Sequence, residues 1–340
     1  MYESKDSVAA ETLWLTANDG AKLFVRRWIP QNSRAVLNIV HGMAEHSGRY
    51  ERVAFCLCAA GIEVWSADMR GHGKTADIAV NPPEKGGLLG HCADADGLAI
   101  VTADIEFINN TIIKTCPNIP LFLLGHSWGS FLAQNYIETY SQNTLAGCIL
   151  SGTRGPDGLK IAVSEIVMRL IAALNGCRKP SALAYAFADG PFSRPFQPNR
   201  TPFDWLSRDT KEVDAYFNDP LSGKRCSAGF YRDLAVILNR IHKPSFINKI
   251  RPNLPIYVFA GSSDPVGDMG ESPTKLVNTY REMVIHDLEF VLYPNARHET
   301  LNETNREEVI GNLIDWILRH CEGMNSEQGI VDSEQLKKTT

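Results

Sequence analysis

The feature that most constrains this sequence is a regular alternation of short apolar runs with helical patterns. The runs AVLNIV, EVWSA, PLFLL, GCILS, PIYVFA and LEFVLY alternate with helical periodicity at residues 50–60, 94–110, 128–140, 273–284 and 307–319. Strands that are apolar along their whole length are typical of parallel sheets with helices on both faces. An antiparallel hairpin is expected before them, because ETLWLTA and KLFVRRW flank an Asn-Asp-Gly turn. The sequence therefore predicts an α/β fold with a mostly parallel sheet.

The alternation is interrupted once, before the last two predicted strands. The interrupting segment carries several helical patterns, among them GLKIAVSEIVMRLIAALNG, and no clear strand. We expect this segment to form a helical cap over the sheet. The predicted divisions are a core in two parts (residues 1–153 and 244–321), the cap (154–243) and a polar tail (322–340) that is expected to be disordered.

Composition narrows the possible functions. The 34 basic and 39 acidic residues are spread along the chain without a basic block, so a nucleic-acid partner is not expected. The first residues lack the apolar run of a signal peptide and no run is long enough to cross a bilayer, which predicts a cytoplasmic location. The eight cysteines lack the paired spacing of a zinc site and are expected to be mostly buried free thiols. Neither a metal nor a cofactor is expected, and the oligomeric state is left open.

The segment GHSWG at residues 125–129 matches the pattern G-x-S-x-G. The pattern alone carries little weight, but here it directly follows a predicted strand and opens a predicted helix, as a nucleophile elbow does. Glycines two residues before and after the serine leave room for the sharp turn that holds it. We therefore predict that Ser127 is the nucleophile of a serine hydrolase.

A serine nucleophile needs a base, and the base needs an acid that orients it. Asp264 and His298 each follow a late predicted strand, which places both at the sheet edge where Ser127 lies. Asp268 is an alternative acid, four residues further on. His286 precedes its strand and is therefore expected at the opposite edge. The predicted triad is Ser127, Asp264 and His298.

The loop after the strand AVLNIV reads HGMAEHSGRY. In such hydrolases one amide of this loop and the amide that follows the nucleophile form the oxyanion hole. This pattern assigns the backbone N–H groups of Met43 and Trp128. Glu45, His46 and Arg49 are expected to brace the loop rather than to take part in catalysis.

The motifs HGMAEHSGRY, ADMRGHGKT, LLGHSWGS, NDPLSGKRCSAGFYRDL, GSSDPVGD and YPNARHE resemble the monoacylglycerol lipase and bacterial lysophospholipase branch of the α/β-hydrolases, also classed as serine aminopeptidase-like hydrolases. The resemblance covers about residues 10–320. It implies the same triad and oxyanion donors, and ester hydrolysis through an acyl-enzyme without a cofactor. It also implies a single-chain lipid ester as substrate, such as a monoacylglycerol or lysophospholipid. Trp128 stands where the family commonly has Met, and the cap matches loosely, so the substrate is implied less strongly than the chemistry.

One apolar helical run of the cap offers walls for an acyl channel. Ile166 and Leu170 are the predicted substrate-binding residues. An alternative is that this apolar face simply packs on the core. Transient contact between the cap and a membrane surface is also expected. The apolar residues of this helical run are Ile161, Val163, Ile166, Val167, Leu170, Ile171 and Leu174.

Three other functions remain open. A small-ester carboxylesterase or a peptidase would share every catalytic residue, and a catalytically silent ligand receptor could use the same fold. Dehalogenase and epoxide-hydrolase chemistry is disfavoured, because those relatives carry an aspartate at the elbow where this chain has Ser127.

Overall fold

An eight-stranded sheet runs through the structure, a computed structural model that describes residues 10–283 and 285–337, with side chains as far as Cys321. The strands follow the order β1-β2-β4-β3-β5-β6-β7-β8. β1 and β2 form the predicted antiparallel hairpin, β2 also pairs antiparallel with β4, and the remaining pairs are parallel. The predicted mostly parallel sheet is confirmed. The strands are β1 (Glu11–Thr16), β2 (Lys22–Trp28), β3 (Ala35–Val40), β4 (Ile62–Ala67), β5 (Leu121–His126), β6 (Gly147–Ser151), β7 (Ile256–Gly261) and β8 (Leu288–Tyr293).

Helices cover both faces of the sheet and fill the segment between β6 and β7. No helix in the described part of the chain is long and apolar enough to cross a membrane. The α-helices are α1 (Glu51–Ala59), α2 (Gly97–Thr115), α3 (Trp128–Thr139), α4 (Leu159–Asn175), α5 (Ala182–Ala188), α6 (Thr210–Asn218), α7 (Ala228–Arg240), α8 (Pro244–Ile247), α9 (Glu271–Glu282) and α10 (Arg306–Lys337). Short 3-10 helices lie at Ser47–Tyr50, Pro83–Lys85, Gly190–Phe196 and Thr300–Asn302.

The sheet separates two apolar cores. Along β5, Leu121 and Leu123 point into the core shared with α2, α3 and the cap. Phe122 and Leu124 alternate with them and point into the core shared with α1 and α10, where Trp316 packs edge-on against Phe122. Alternation along a strand buried on both sides explains why this sequence reads as continuously apolar.

Helices α4–α7 lie in the insertion that the sequence predicts before the last two strands, and α8 follows it. Within it α4 packs against α7, and α7 also contacts α2 and α3 of the core. Ser227 caps α7 by accepting a hydrogen bond from the amide of Phe230 (3.1 Å), which fixes where this helix begins. The insertion therefore sits on the core helices mainly through α7.

The last helix is longer than predicted, since the backbone of α10 continues to Lys337 rather than ending at residue 319. The predicted disorder of the polar tail, residues 322–340, falls on residues whose side chains lie outside the described part of the chain. That expectation stays a prediction.

All eight cysteines are free thiols. Six are buried, while Cys56 and Cys177 are half-buried. The expectation of mostly buried free thiols is confirmed.

Candidate active site

Ser127 lies at the turn between β5 and α3, with φ at 53° and ψ at −120°. A positive φ is costly for a residue with a side chain, and it persists only where the surroundings hold it. The Ser127 amide donates to the carbonyl oxygen of Ser151 on β6 (2.9 Å). A side chain at Gly125 would collide with the carbonyl oxygen of Gly129, and one at Gly129 with that of Val40. Both glycines of the motif are therefore required by close backbone packing.

His298 and Asp264 form a buried pair beside this turn. Nδ1 of His298 lies 2.9 Å from Oδ2 of Asp264, and their side chains are 2% and 0% exposed. The second oxygen of Asp264 accepts a hydrogen bond from the amide of Val266 (2.8 Å). Burial alone would lower the pKa of His298, but the negative charge of Asp264 and the hydrogen bond to it raise that pKa above its usual value. Nε2 is the remaining ring nitrogen, and His298 lines the same cavity as Ser127.

The two alternative residues are placed elsewhere. The side chain of Asp268 is 47% exposed and lies 3.7 Å from Arg154 rather than beside a histidine. His286 is exposed and precedes β8, at the opposite edge of the sheet from Ser127. The geometry therefore brings Asp264, and not Asp268, to His298.

The predicted oxyanion donors both border the serine. An added Cβ at Gly42 would lie 3.2 Å from Cβ of Ser127, so the backbone of this loop touches the nucleophile directly. Met43 follows Gly42 in the loop, and Trp128 is the first residue of α3. The first amides of a helix have no acceptor within the helix and carry a partial positive charge. Met43 and Trp128 both line the cavity that contains Ser127.

A buried ionic network holds the oxyanion loop. Glu45 accepts hydrogen bonds from the amide of Gly42 (2.5 Å) and from the hydroxyl of Tyr50 (2.9 Å). Arg49 donates to Glu45 (2.6 Å) and to both oxygens of Glu299 (2.6 and 2.7 Å). Burial alone would raise the pKa of Glu45, but Arg49 lowers it to about 2, so this carboxylate stays charged at neutral pH. Glu45 and Arg49 thus have the bracing contacts that the sequence predicts.

The same loop is tied to the cap, a contact that the sequence does not reveal. Nε2 of His46 lies 2.7 Å from a carboxylate oxygen of Asp219. The carbonyl oxygen of Ala44 accepts from the hydroxyl of Tyr216 and from the amide of Gly223, both at 2.9 Å. Two segments of the insertion therefore help to position the loop.

His126, inside the elbow itself, is a neighbour that sequence reasoning left unassigned. Its ring lies 4.9 Å from that of His298, and its Nδ1 lies 3.1 Å from the Ser151 hydroxyl oxygen. Burial and the nearby His298 lower the pKa of His126 to about 4. His126 is therefore neutral at physiological pH and adds no positive charge beside the base.

A cavity of about 310 Å³ lies beside the serine and is lined in part by residues of the insertion. Its cap walls are largely apolar and aromatic. They come from α4, α7 and the chain between α5 and α6, and include Val167, Met168, Phe192, Trp205, Leu234 and Leu238.

The prediction that Ile166 and Leu170 line an acyl channel is wrong. Their side chains are 61% and 58% exposed and lie on the outer face of α4, away from the cavity. Of the seven residues in that apolar run, Ile161, Val163 and Val167 line the cavity. Ile171 packs in the core, and Leu174 is exposed like Ile166 and Leu170. The reason is that α4 is apolar on more than one face, which helical periodicity alone does not resolve.

Comparison with known proteins places this fold and site in a family. Residues 31–305 match the family of hydrolases described as serine aminopeptidase, S33. The chain belongs to this S33 family of serine hydrolases. The match covers the elbow, the insertion and both residues of the buried Asp-His pair.

Three similar proteins carry informative descriptions. The monoacylglycerol lipase of Mycolicibacterium smegmatis is 26% identical over 308 residues, which cover 88% of this chain and 94% of that one. An uncharacterized abhydrolase domain-containing protein of Dictyostelium discoideum is 26% identical over 317 residues, 92% of this chain but 29% of that protein's length. The solved structure of a highly thermostable carboxyl esterase from Bacillus coagulans, in complex with glycerol, is 26% identical with a TM-score of 0.83, and the match covers 92% of this chain and 99% of that one. The α/β-hydrolase fold implied by the sequence motifs is confirmed.

Proposed function

We propose that this serine ester hydrolase acts on single-chain lipid esters, such as monoacylglycerols or lysophospholipids, with Ser127, His298 and Asp264 as its catalytic triad. The observation that carries the proposal is one shared cavity. Ser127 and His298, which is hydrogen-bonded to the buried Asp264, both line it, and largely apolar side chains of the cap form much of its wall.

In the proposed reaction Ser127 Oγ attacks the ester carbonyl while Nε2 of His298 accepts its proton. The amides of Met43 and Trp128 stabilise the oxyanion, and each such donor is worth about 3–4 kcal/mol in the transition state. Asp264 holds the His298 tautomer and stabilises its protonated form. His298 then returns the proton to the departing alcohol, which leaves an acyl-enzyme. Water, deprotonated by His298, attacks this ester and releases the acid together with the free serine.

The size and composition of the cavity support a lipid with one acyl chain. A volume of about 310 Å³ with apolar walls suits one chain beside the serine, whereas a triacylglycerol carries three. The similarity to a monoacylglycerol lipase over 88% of the chain supports the same substrate class. We assign Val167 and Met168, rather than Ile166 and Leu170, to the wall that an acyl chain would contact.

A short-chain carboxylesterase is the second candidate, because the similar Bacillus coagulans structure is described as a carboxyl esterase. The kcat/KM values for para-nitrophenyl esters from acetate to decanoate, below their micelle concentrations, separate the two candidates. Lipid hydrolysis predicts a rise from acetate to medium chains. A profile that peaks at acetate and falls steadily would leave a small-ester hydrolase on the same triad.

We further propose that residues 154–243 act as the cap and that its outer face touches a lipid surface transiently. Leu159, Ile166, Leu170 and Leu174 are between 58% and 84% exposed along one side of α4. A row of apolar side chains of this kind favours contact with a membrane surface.

The test of this membrane contact is co-sedimentation with phosphatidylcholine vesicles. We expect an Ile166→Ser/Leu170→Ser double variant to bind several-fold less while keeping its activity on soluble esters. Equal sedimentation of both proteins would contradict this contact.

A further inference from the structure

Charged side chains line the catalytic cavity, and most of the acids there have a cationic partner. Glu45 and Glu299 share Arg49, as described above. At the cap side of the cavity, Asp157 pairs with Arg154 at 3.1 Å. These pairs satisfy the usual requirement that a buried charge be balanced by an opposite one.

Asp189 is the exception among the described acids of the cavity wall. It ends α5, is 8% exposed and lines the cavity. One carboxylate oxygen accepts a hydrogen bond from the hydroxyl of Tyr231 (2.6 Å), but no described Lys, Arg or His forms an ion pair with it. Burial raises the pKa of Asp189 to about 7, which reflects the cost of ionising this carboxyl without a cation. A positively charged ligand would reduce that cost.

Three aromatic residues neighbour Asp189: Tyr231, whose hydroxyl bonds its carboxylate, and Tyr185 and Phe192, which are linked to it through the backbone. The amide of Asp189 donates to the carbonyl oxygen of Tyr185 (2.9 Å), and the amide of Phe192 donates to the carbonyl oxygen of Asp189 (3.0 Å). Tyr185, Phe192 and Tyr231 all line the cavity, so a carboxylate and three rings share one part of its wall. A carboxylate among aromatic faces is the chemistry that binds ammonium groups.

This part of the wall is connected to the catalytic base through ring contacts. The ring of Phe192 lies 5.1 Å from that of Trp205, and the ring of Trp205 lies 5.2 Å from that of His298. A substrate whose ester lies at the serine can therefore extend along the same wall toward Asp189.

We propose that Asp189 is a specificity-determining residue that selects esters carrying an ammonium group, which binds between its carboxylate and the neighbouring rings. The inference rests on the proposed ester hydrolysis and adds a charge requirement to the substrate class. It makes Asp189 a binding residue and gives it no role in the bond-breaking steps.

The test compares butyrylcholine with 3,3-dimethylbutyl butanoate, which has the same shape without the charge. We expect wild-type kcat/KM to favour the choline ester at least tenfold, a factor within reach of one desolvated cation–π and ion-pair contact. The Asp189→Asn variant keeps an oxygen acceptor for Tyr231 but removes the negative charge, and the ratio should fall to about one. Asp157→Asn is the matched control, because its carboxylate already has Arg154 as partner, and the ratio should persist.

A second pair of esters places the charge on the acyl side instead. The para-nitrophenyl ester of 4-trimethylammoniobutyrate is compared with that of 5,5-dimethylhexanoate, its neutral isostere. A preference for the cation in either pair that disappears in Asp189→Asn supports the proposal and identifies which side of the ester faces Asp189. No preference in both pairs, or a preference that Asp189→Asn retains, would overturn it.

Calorimetry with Ser127→Ala keeps this inference separate from the proposed reaction. The variant should bind butyrylcholine at least tenfold more tightly than the neutral isostere, and adding Asp189→Asn should abolish that difference. If Ser127→Ala binds the choline ester more tightly than the isostere but the wild type hydrolyses no ester, only the proposed hydrolysis is contradicted. Equal binding of cation and neutral isostere in both ester pairs, with normal turnover, would contradict only the ammonium site.

Discussion

The catalytic edge of the sheet and the cap wall that faces it are built in different ways. At the sheet edge, backbone geometry fixes each group: Ser127 has a strained φ between two glycines that admit no side chain, and His298 is held by a buried hydrogen bond to Asp264. The cap wall consists of side chains from separate helices, with an unbalanced acid among them. The difference indicates that the residues at the catalytic edge can hardly be substituted without loss of activity. In the cap wall, by contrast, single side-chain substitutions can alter which substrate is bound.

The largest expected effect concerns the nucleophile. Ser127→Ala should reduce kcat on the order of 10⁶-fold for every ester, because a triad without its nucleophile loses nearly all of its catalytic advantage. The measurement is steady-state hydrolysis of acetate and octanoate esters, with circular dichroism as the control for folding. More than one per cent of wild-type activity would remove Ser127 from the mechanism.

The next effect concerns the acid. Asp264→Asn should lower kcat on the order of 10⁴-fold, because an amide favours the wrong tautomer of His298. Asp268→Asn is the matched control, since its exposed side chain lies beside Arg154, and it should retain most of the activity. The reverse ranking of these two variants would move the acid to Asp268.

A smaller, substrate-dependent effect is expected in the cap. Each buried methylene is worth about 0.8 kcal/mol at most, so four of them raise kcat/KM by up to about 100-fold. Val167→Asp, on the cavity face of α4, should flatten this dependence while acetate hydrolysis changes little. Ile166→Asp, the neighbouring residue on the outer face, should leave the dependence intact. The assigned wall would be wrong if Ile166→Asp flattened the profile and Val167→Asp did not.

The smallest effect is a shift in pH dependence. The base must be neutral to accept a proton, and Asp264 raises the pKa of His298 above its usual value of 6.5. The kcat/KM should therefore fall about tenfold per pH unit on the acid side, with a midpoint above pH 6.5. Ile166→Asp, whose side chain lies outside the cavity, should keep this midpoint. A midpoint near pH 4 would instead match the neighbouring His126.

The sequence predicts the core far better than the cap. Strand order along the chain, the elbow and the positions of Asp264 and His298 follow from apolar runs and the residues directly after them, because those signals are local. The outer position of Ile166 and Leu170 does not follow, since a helix with several apolar faces gives no sign of which one meets the cavity. Two further features do not follow from the sequence either: Asp189 has no described cationic partner, and the hydroxyl of Tyr216 donates a hydrogen bond to Ala44. Both depend on residues far apart in sequence, which no short sequence pattern reveals.

Two of the free thiols can report separately on local opening of the sheet and of the cap. Cys148 lies within β6 and Cys226 within the cap, and both are buried with raised pKa values, so neither reacts with a thiol reagent until its surroundings open. Modification rates therefore measure opening frequency, much as amide hydrogen exchange does. A faster rate at Cys226 than at Cys148 would mean that the cap opens more often than the sheet. The measurement needs no added label, because both thiols belong to the protein itself.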